Sequence, residues 1–225
     1  MKFRNKKAIF FDLDGTLIDS VPDLALAVNE MLTILGKETF SEDTIRYWVG
    51  NGAQTLVKRA LLGRREVENE RIDETYFKKA HTIFLEAYGK HLCKATRPYP
   101  HVVETLEALK SRGYRLTIIT NKPEQFVEPI LKGLGFDDLF ETYLGGDSLP
   151  KKKPDPMPLL HMCDLLGLTV ESCVMVGDSK NDILAANACG MQSIGVTYGY
   201  NYGEEISIYE PDAVVNDFSN ISELF

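Results

Sequence analysis

The chain has 225 residues, of which 44% are hydrophobic and 26% charged, and its formal net charge at pH 7 is −8. This is the composition of a globular protein with enough residues to bury a core. The acidic balance argues against nucleic acid and anionic membranes as partners, because both repel a negative surface. The first apolar run ends at Phe11, too short for a signal peptide, and no later run reaches membrane-spanning length. We therefore expect a cytoplasmic protein whose four cysteines are reduced.

Short apolar runs alternate with helical segments along most of the chain. Continuous runs of this kind are typical of strands that are covered on both faces in a parallel sheet. The segment Pro100–Gly113 repeats apolar residues at helical spacing and ends on glycine, as the other segments do. The predicted strands lie in "AIFFDLD" (8–14), "RLTIITN" (115–121), "SCVMVGD" (172–178), "QSIGVTYG" (192–199) and, more weakly, "DAVVNDF" (212–218). The alternation predicts an α/β fold with a doubly wound, Rossmann-like parallel sheet.

Residues 17–96 interrupt this alternation with helical patterns alone. Ser20 is a candidate N-cap and Pro22 stands in the first turn of a helix whose apolar face includes Leu24 and Val28. We expect a catalytic core formed by residues 1–16 and 97–225, with a helical cap domain at 17–96 inserted after the first strand. An insertion at this point is well placed to act as a lid.

Polar side chains follow several of the predicted strands. Ligands of open parallel sheets bind at the carboxyl ends of the strands, so these side chains should meet at one edge. The first strand ends in Asp12 and Asp14, and a later strand ends in Thr120 and Asn121. The remaining members are Asp178, Asn181 and Asp182 after "VMVG", and the lysine-rich loop 149–156.

These residue types suit hydrolysis of a phosphate monoester. Asp12 could attack phosphorus to form an aspartyl phosphate, and Asp14 could protonate the leaving alkoxide and later accept a proton from water. Oxygens of Asp12, Asp178 and a loop carbonyl suit Mg²⁺, which would offset the repulsion between the acids and the phosphate. Thr120, backbone N–H groups and Lys153 could hold the remaining phosphate oxygens.

Each motif taken alone has a simpler interpretation, but none of these explains why the motifs occur together in this order. An EF-hand loop beginning at Asp12 would need glycine where Leu17 stands and glutamate where Asp23 stands. Taken alone, "DG" suits a turn, "KKK" a solvated charge run and "TN" an ordinary loop. "GNGAQT" does not follow a strand, as a nucleotide-binding loop would, and the four histidines show no metal-ligand spacing.

The order of "DLDGT", "TN", "KKKP" and "GDSKND" resembles the four motifs of the haloacid dehalogenase superfamily of phosphatases. The resemblance implies that Asp12 is the nucleophile, Asp14 the acid and base, and Thr120 a phosphoryl-binding residue. It also implies that a lysine holds the phosphate and Asp12 in place. That lysine is Lys153, directly before Pro154, although the run of lysines leaves Lys152 as an alternative.

The same resemblance assigns the metal site and the type of cap. Mg²⁺ would be bound by Asp178, by the carboxylate of Asp12 and by the carbonyl of Asp14, and Asp182 would orient its water ligands. The helical insertion resembles the C1-type cap of the superfamily.

Longer strings resemble one group within that superfamily, the bacterial phosphoglycolate phosphatases. They are "WVGNGA", "TNKPEQFVEPIL", "GGDSLPKKKPDPMPLL", "VGDSKNDILAANACG" and "VTYGYNYGE". The implied reaction converts 2-phosphoglycolate and water to glycolate and phosphate. The alternatives are the same chemistry on another small metabolite, such as a sugar phosphate or a nucleotide, a phosphomutase, and a signalling protein with a stable aspartyl phosphate. Asp14 and the cap argue against the signalling protein, which needs neither.

The cap should choose the substrate, since the core motifs suit any phosphomonoester. We expect Gly50, Asn51 and Gly52 to face the aspartates and to bind the substrate's second anionic group at the start of a helix. Asn121 is a further substrate-binding candidate. Other candidates are Arg46, Lys58 and Arg59, which could equally be solvated charges, and the loop Tyr198–Gly203, which could equally be a packed turn. We expect a monomer or a small homo-oligomer that binds a small phosphorylated metabolite.

Overall fold

Six parallel strands form the central sheet of the structure, a computed structural model that describes residues 2–225. Residues 2–225 contain eight strands, of which β2 and β3 form a separate pair outside this sheet. In chain order they are β1 (Ala8–Phe11), β2 (Ile18–Asp19), β3 (Arg97–Pro98), β4 (Arg115–Ile119), β5 (Thr142–Leu144), β6 (Cys173–Gly177), β7 (Gln192–Val196) and β8 (Ala213–Val215). The order across the sheet is β5-β4-β1-β6-β7-β8, and every pairing in it is parallel. The predicted parallel α/β architecture is confirmed.

Nine α-helices surround or extend this sheet in the described part of the chain. They are α1 (Val21–Ile34), α2 (Glu42–Arg46), α3 (Ala53–Leu62), α4 (Glu74–His91), α5 (Val102–Ser111), α6 (Val127–Leu134), α7 (Met157–Leu166), α8 (Lys180–Cys189) and α9 (Ile221–Leu224). Between residues 2 and 225, no helix is both long and apolar enough to cross a membrane.

The position of β1 in the sheet determines where a ligand can bind. β1 lies between β4 and β6, and the chain continues to β5 on one side and to β7 and β8 on the other. The strand order therefore reverses next to β1, and such a reversal leaves a crevice beyond the carboxyl ends of the strands. The residues after β1, β4 and β6 meet at this crevice.

The two faces of β1 enter two separate hydrophobic clusters. Ile9 and Phe11 join the larger cluster, in which the ring centre of Phe11 lies 5.9 Å from that of Phe218. Ala8 and Phe10 join the smaller one, which is closed by side chains of α7 and α8. Burying a large apolar side chain contributes about 1.5–3 kcal/mol. Burial on both faces explains why this run is apolar without alternation.

Strand β5 was not predicted. It has three residues, two of them half-buried, because it lies at the edge of the sheet. An edge position removes the need for a continuous apolar run, which was the basis of the strand predictions.

A two-stranded antiparallel connection, also not predicted, joins the helical segment to the sheet. β2 pairs with β3 through Ile18 opposite Pro98 and Asp19 opposite Arg97. The chain thus leaves the sheet and returns to it at one place, with α1 to α4 in between. Strands of two residues have no periodicity to detect. The division into a core and a cap at the stated boundaries stays a prediction.

The Asp19 carboxylate on β2 also stabilises this connection, because it binds residues from α2 and from the loop after β7. Arg46 on α2 donates from Nη1 and Nη2 to Asp19 Oδ1 and Oδ2, at 2.9 and 3.1 Å. The Tyr200 hydroxyl, from the loop after β7, donates to the same carboxylate. Burial would raise the pKa of Asp19, but the hydrogen bonds from Arg46 and Tyr200 lower it overall.

We expect Arg46→Met to lower the free energy of unfolding by about 1 kcal/mol at pH 7, the upper range for a partly exposed ion pair. Because the folded-state pKa of Asp19 is depressed, the pair stabilises the protein above the unfolded-state pKa of about 3.9. The difference between variant and wild type should be constant from pH 8 to 5 and shrink as the pH falls below that value. Urea denaturation across this range measures it. The same substitution at the exposed Arg71 is the control. A stability difference between Arg46→Met and wild type that stays the same at all pH values would contradict the assignment.

Candidate active site

Two aspartates at the end of β1 line one cavity, and a sharp turn follows the second of them. The backbone N–H of Asp12 still donates to Val176 on β6, at 2.9 Å, so Asp12 continues the strand. Leu13 then points into the core, and Gly15 takes a φ of +92°, which favours glycine. A Cβ at Gly15 would overlap the Asp178 carboxylate. With Leu13 in the core, Asp12 and Asp14 both line the cavity.

Lys153, rather than Lys152, lies beside the first aspartate. Lys153 Nζ is 3.0 Å from Asp12 Oδ1 and 2.6 Å from Asp182 Oδ1, and it also donates to the Ile119 carbonyl. Lys152 Nζ instead donates to the Asn51 carbonyl at 2.7 Å. Burial would lower the pKa of Lys153, but the carboxylates of Asp12 and Asp182 raise it overall.

Three buried carboxylates converge next to this lysine. One oxygen from each of Asp12, Asp178 and Asp182 lies within 4.8 Å of the others. Burial raises the pKa of Asp12 to about 7, with Lys153 opposing the shift. Burial and the nearby Asp12 and Asp182 raise the pKa of Asp178 well above its usual value. Clustering of these acids therefore costs free energy unless a cation is present.

Hydrogen bonds orient two of the three acids. Asp178 accepts from the Thr16 hydroxyl at 2.9 Å and from the Tyr200 N–H at 2.6 Å. Asp182 Oδ2 accepts from the N–H and the hydroxyl of Ser179, the N-cap of α8, in a capping box. Asp182 thus has one oxygen on the helix cap and the other on Lys153.

The donor set fits a hard divalent cation. Carboxylate and carbonyl oxygens are the ligands that Mg²⁺ prefers in proteins. The site contains four acids, Asp12, Asp14, Asp178 and Asp182, against two buried lysines, Lys122 and Lys153. When all four acids are ionised, as metal binding requires, the two lysines leave two negative charges, which one divalent cation would balance.

Thr120 and Asn121 follow β4 and have different surroundings. Thr120 lines the cavity, and its hydroxyl oxygen accepts from the backbone N–H of Lys122 at 3.2 Å. The Asn121 amide donates to the carbonyls of Gly50 and Lys153, at 3.1 and 2.9 Å. Asn121 therefore joins the loop before α3 to the sheet edge, and its role in binding substrate stays a prediction.

The loop Gly50–Gly52 packs against the sheet edge. The Gly50 carbonyl accepts from the amides of both Asn121 and Asn181, each at 3.1 Å. Asn51 Oδ1 accepts from the Tyr202 hydroxyl at 2.7 Å. Gly50 and Gly52 line the same cavity as the aspartates, whereas Asn51 lies outside its lining. Anion binding by this loop stays a prediction.

The loop Tyr198–Gly203 links the first turn to the helical segment. The Tyr198 hydroxyl donates to the Thr16 carbonyl at 2.9 Å, and Tyr200 and Tyr202 make the contacts with Asp178 and Asn51 given above. Tyr200 and Tyr202 are buried and Tyr198 is half-buried, and a role of the loop in lining the site stays a prediction.

The cavity is partly open and has a volume of about 40 Å³, and its lining includes one basic residue that was not predicted from the sequence. Lys122 Nζ lies 2.8 Å from Asp14 Oδ1, and the Ser20 hydroxyl donates to the same oxygen. Burial would lower the pKa of Lys122, but Asp14 raises it overall. The signal in the sequence that could have identified Lys122 is its position two residues after Thr120, at the end of a strand.

The basic residues that were considered for substrate binding lie outside this cavity. Arg46 is paired with Asp19 and Glu42, and Arg59 is buried against the carbonyls of Trp48 and Arg65. Lys58 lines outer surface clefts.

Comparison with known proteins relates this arrangement to one family. Residues 9–196 match the family model described as haloacid dehalogenase-like hydrolase. A phosphoglycolate phosphatase of Colwellia psychrerythraea is 53% identical, covering 98% of this chain and 97% of its own. One of Haemophilus influenzae is 46% identical, covering 96% of each chain.

Solved structures with a similar fold support the same family. A predicted phosphoglycolate phosphatase of Haemophilus somnus superposes with a TM-score of 0.91 at 44% identity, covering 98% of both chains. A haloacid dehalogenase-like family protein of Streptococcus pneumoniae gives a TM-score of 0.80 at 26% identity, covering 95% of both.

Proposed function

The chain belongs to the haloacid dehalogenase-like hydrolases and is a phosphatase, and we propose that it hydrolyses 2-phosphoglycolate to glycolate and phosphate. The observation that carries the proposal is the pair Asp12 and Asp14 in one small cavity, each beside a buried lysine. The names of the relatives support the choice of substrate.

In the first half-reaction, a carboxylate oxygen of Asp12 forms a bond to phosphorus, and the bond from phosphorus to the ester oxygen breaks. Asp14 gives its proton to that oxygen, so glycolate leaves. Lys153 holds Asp12 in position and offsets the charge of the phosphoryl group, while the Thr120 hydroxyl binds a phosphoryl oxygen.

In the second half-reaction, water attacks phosphorus and Asp14 accepts its proton. The bond between phosphorus and Asp12 breaks, which releases inorganic phosphate and restores the free carboxylate. The proton that Asp14 takes from water restores the acid for the next turnover.

Mg²⁺ would be held by Asp12, Asp178 and the carbonyl of Asp14, and it would supply positive charge for the phosphoryl oxygens. Asp182 would orient its water ligands, in addition to holding Lys153. We assign residues 17–96 as the cap, which excludes water from the site when it is closed on the sheet edge.

The size of the cavity favours a small ester. A volume of 40 Å³ has room for a few water molecules. A two-carbon leaving group suits this space better than a sugar or a nucleoside does.

A panel of phosphate esters assayed with Mg²⁺ tests the substrate. We expect kcat/KM for 2-phosphoglycolate to exceed that for glucose 6-phosphate, ribose 5-phosphate and AMP by about 10-fold or more each, as differential pocket contacts allow. Equal rates on all four would remove the substrate assignment while leaving the chemistry. An isomerised product would indicate a phosphomutase, and a long-lived phosphoprotein without turnover would indicate a signalling protein.

A further inference from the structure

The cavity beside Asp14 is apolar on most sides and has one cationic side chain among the lining residues that the structure describes. Its apolar walls are Leu24, Val49, Ala53, Leu56, Phe84, Pro123 and Phe126. Lys122 is the cation, with a side chain that is 3% exposed. An anion entering such a space loses part of its hydration, and it is stable there only beside a positive charge or hydrogen-bond donors.

Tyr88 on α4 supplies a second donor at the same place. Its side chain is 1% exposed and lines the cavity, and its ring centre lies 4.7 Å from Lys122 Nζ. Its hydroxyl is buried without a hydrogen-bond partner in residues 2–225. Buried polar groups are almost always paired, so an unpaired hydroxyl in a ligand cavity needs an explanation.

We propose that the Lys122 ammonium and the Tyr88 hydroxyl together bind the carboxylate of the leaving group and thereby select the substrate. The ammonium has three N–H donors, and one of them is directed at Asp14. The other two and the tyrosine O–H can be shared between the two oxygens of a carboxylate.

The position of Lys122 relative to Asp14 matches the geometry of this leaving group. Asp14 must reach the ester oxygen in order to protonate it, and Lys122 Nζ lies 2.8 Å from Asp14 Oδ1. In 2-phosphoglycolate, the carboxylate carbon is two bonds of about 1.5 Å each from the ester oxygen. A group that contacts Asp14 is therefore also in reach of this carboxylate.

The arrangement also couples recognition to the closed state. Lys122 belongs to the loop after β4, which also contains Thr120, whereas Tyr88 belongs to the helical segment. Both donors reach one ligand only when α4 lies over the sheet edge, as it does here.

This inference rests on the proposed substrate, so its test compares two esters. Ethyl phosphate has the same phosphoryl group and carbon count as 2-phosphoglycolate but no carboxylate. We expect Lys122→Met to lower the ratio of kcat/KM for 2-phosphoglycolate to that for ethyl phosphate by about 10-fold to 100-fold, as loss of a charged hydrogen bond predicts. Tyr88→Phe, which removes only the hydroxyl, should lower the ratio by about 3-fold to 10-fold.

Two controls separate recognition from other effects. Lys151→Met removes an equal charge from an exposed position outside the cavity lining, and it should leave the ratio within about 2-fold, because solvent screens an exposed charge. Lys122→Arg keeps the charge and should retain part of the selectivity. Circular dichroism and the melting temperature establish that each variant is folded.

The outcomes distinguish this inference from the proposed function. If wild type hydrolyses ethyl phosphate as well as 2-phosphoglycolate, the proposed substrate fails. If wild type prefers 2-phosphoglycolate but Lys122→Met lowers both rates equally, Lys122 acts only by holding Asp14, and the inference is wrong. An unchanged ratio in folded Tyr88→Phe removes the tyrosine from the assignment.

Discussion

Asp12→Asn is expected to lower kcat for phosphate-ester hydrolysis by about 10⁴-fold or more, the scale seen when a covalent nucleophile is removed. Asparagine has nearly the same shape as aspartate but lacks the anionic oxygen that must attack phosphorus. Release of inorganic phosphate from 2-phosphoglycolate with Mg²⁺ measures the loss. Acid quenching during turnover should trap a phosphoprotein in wild type and none in the variant.

The fold should survive this substitution, so the loss of activity can be assigned to chemistry. Asp12 is one of several acids buried close together, and burial holds its pKa at about 7. Removing its charge relieves repulsion with its neighbours, although Lys153 then keeps only Asp182 as a carboxylate partner. The same change at the exposed Asp164 should leave kcat unaltered. Activity within 100-fold of wild type in folded Asp12→Asn would exclude Asp12 as the nucleophile.

Removal of the metal is expected to abolish activity, and added Mg²⁺ should restore it. The two negative charges that the lysines do not balance repel both one another and the substrate phosphate. Mg²⁺ at 100 times its dissociation constant should stabilise the fold by about 2.7 kcal/mol, since it binds the folded state. Thermal unfolding in EDTA and in Mg²⁺ measures this shift.

Asp178→Asn distinguishes stabilisation by bound Mg²⁺ from an effect of ionic strength on stability. The variant should lose most of the Mg²⁺-dependent shift, because a metal ligand has lost its charge. In EDTA it should unfold at a higher temperature than wild type, since it removes one of the like charges that are buried together. Its hydrogen bonds can persist, because an amide oxygen accepts from the Tyr200 N–H and Thr16 can reverse its hydroxyl.

The pH dependence gives an internal check on this prediction. The pKa of Asp178 is raised in the folded protein, so its ionised form opposes folding at neutral pH. Lowering the pH protonates the wild-type carboxyl group, and the advantage of Asp178→Asn in EDTA should shrink. A metal-free variant that is less stable than wild type at pH 8 would show that the cluster is not strained by its charges.

The family and the sheet could be predicted from the sequence because their signals are local. Continuous apolar runs report strands that are buried on both faces, and the acids after β1 and β6 follow such runs directly. Strand β5 escaped the prediction because an edge strand of three residues lacks that pattern. The connection β2–β3 escaped it because pairing between residues 18–19 and 97–98 joins distant parts of the chain.

The lysines of the site show the same limit, because their surroundings depend on residues that are distant in the sequence. The run of lysines left Lys152 and Lys153 as alternatives, and the structure separates them because successive side chains point to different surroundings. Lys122 was missed although its neighbours Thr120 and Asn121 were selected, since an isolated lysine in a loop usually contacts water. Its burial follows from α4, which lies far along the chain and closes over it.

The sequence by itself determined the fold class, the family and the order of the acids along the strand ends. These depend on hydrophobic periodicity and on short motifs, which are properties of neighbouring residues. Only the tertiary structure decided which lysine contacts Asp12, which cation shares the cavity with Asp14, and which loop the Asn121 amide holds. Those contacts join residues about 70 to 140 positions apart, and their energies depend on burial and distance, which no local pattern contains.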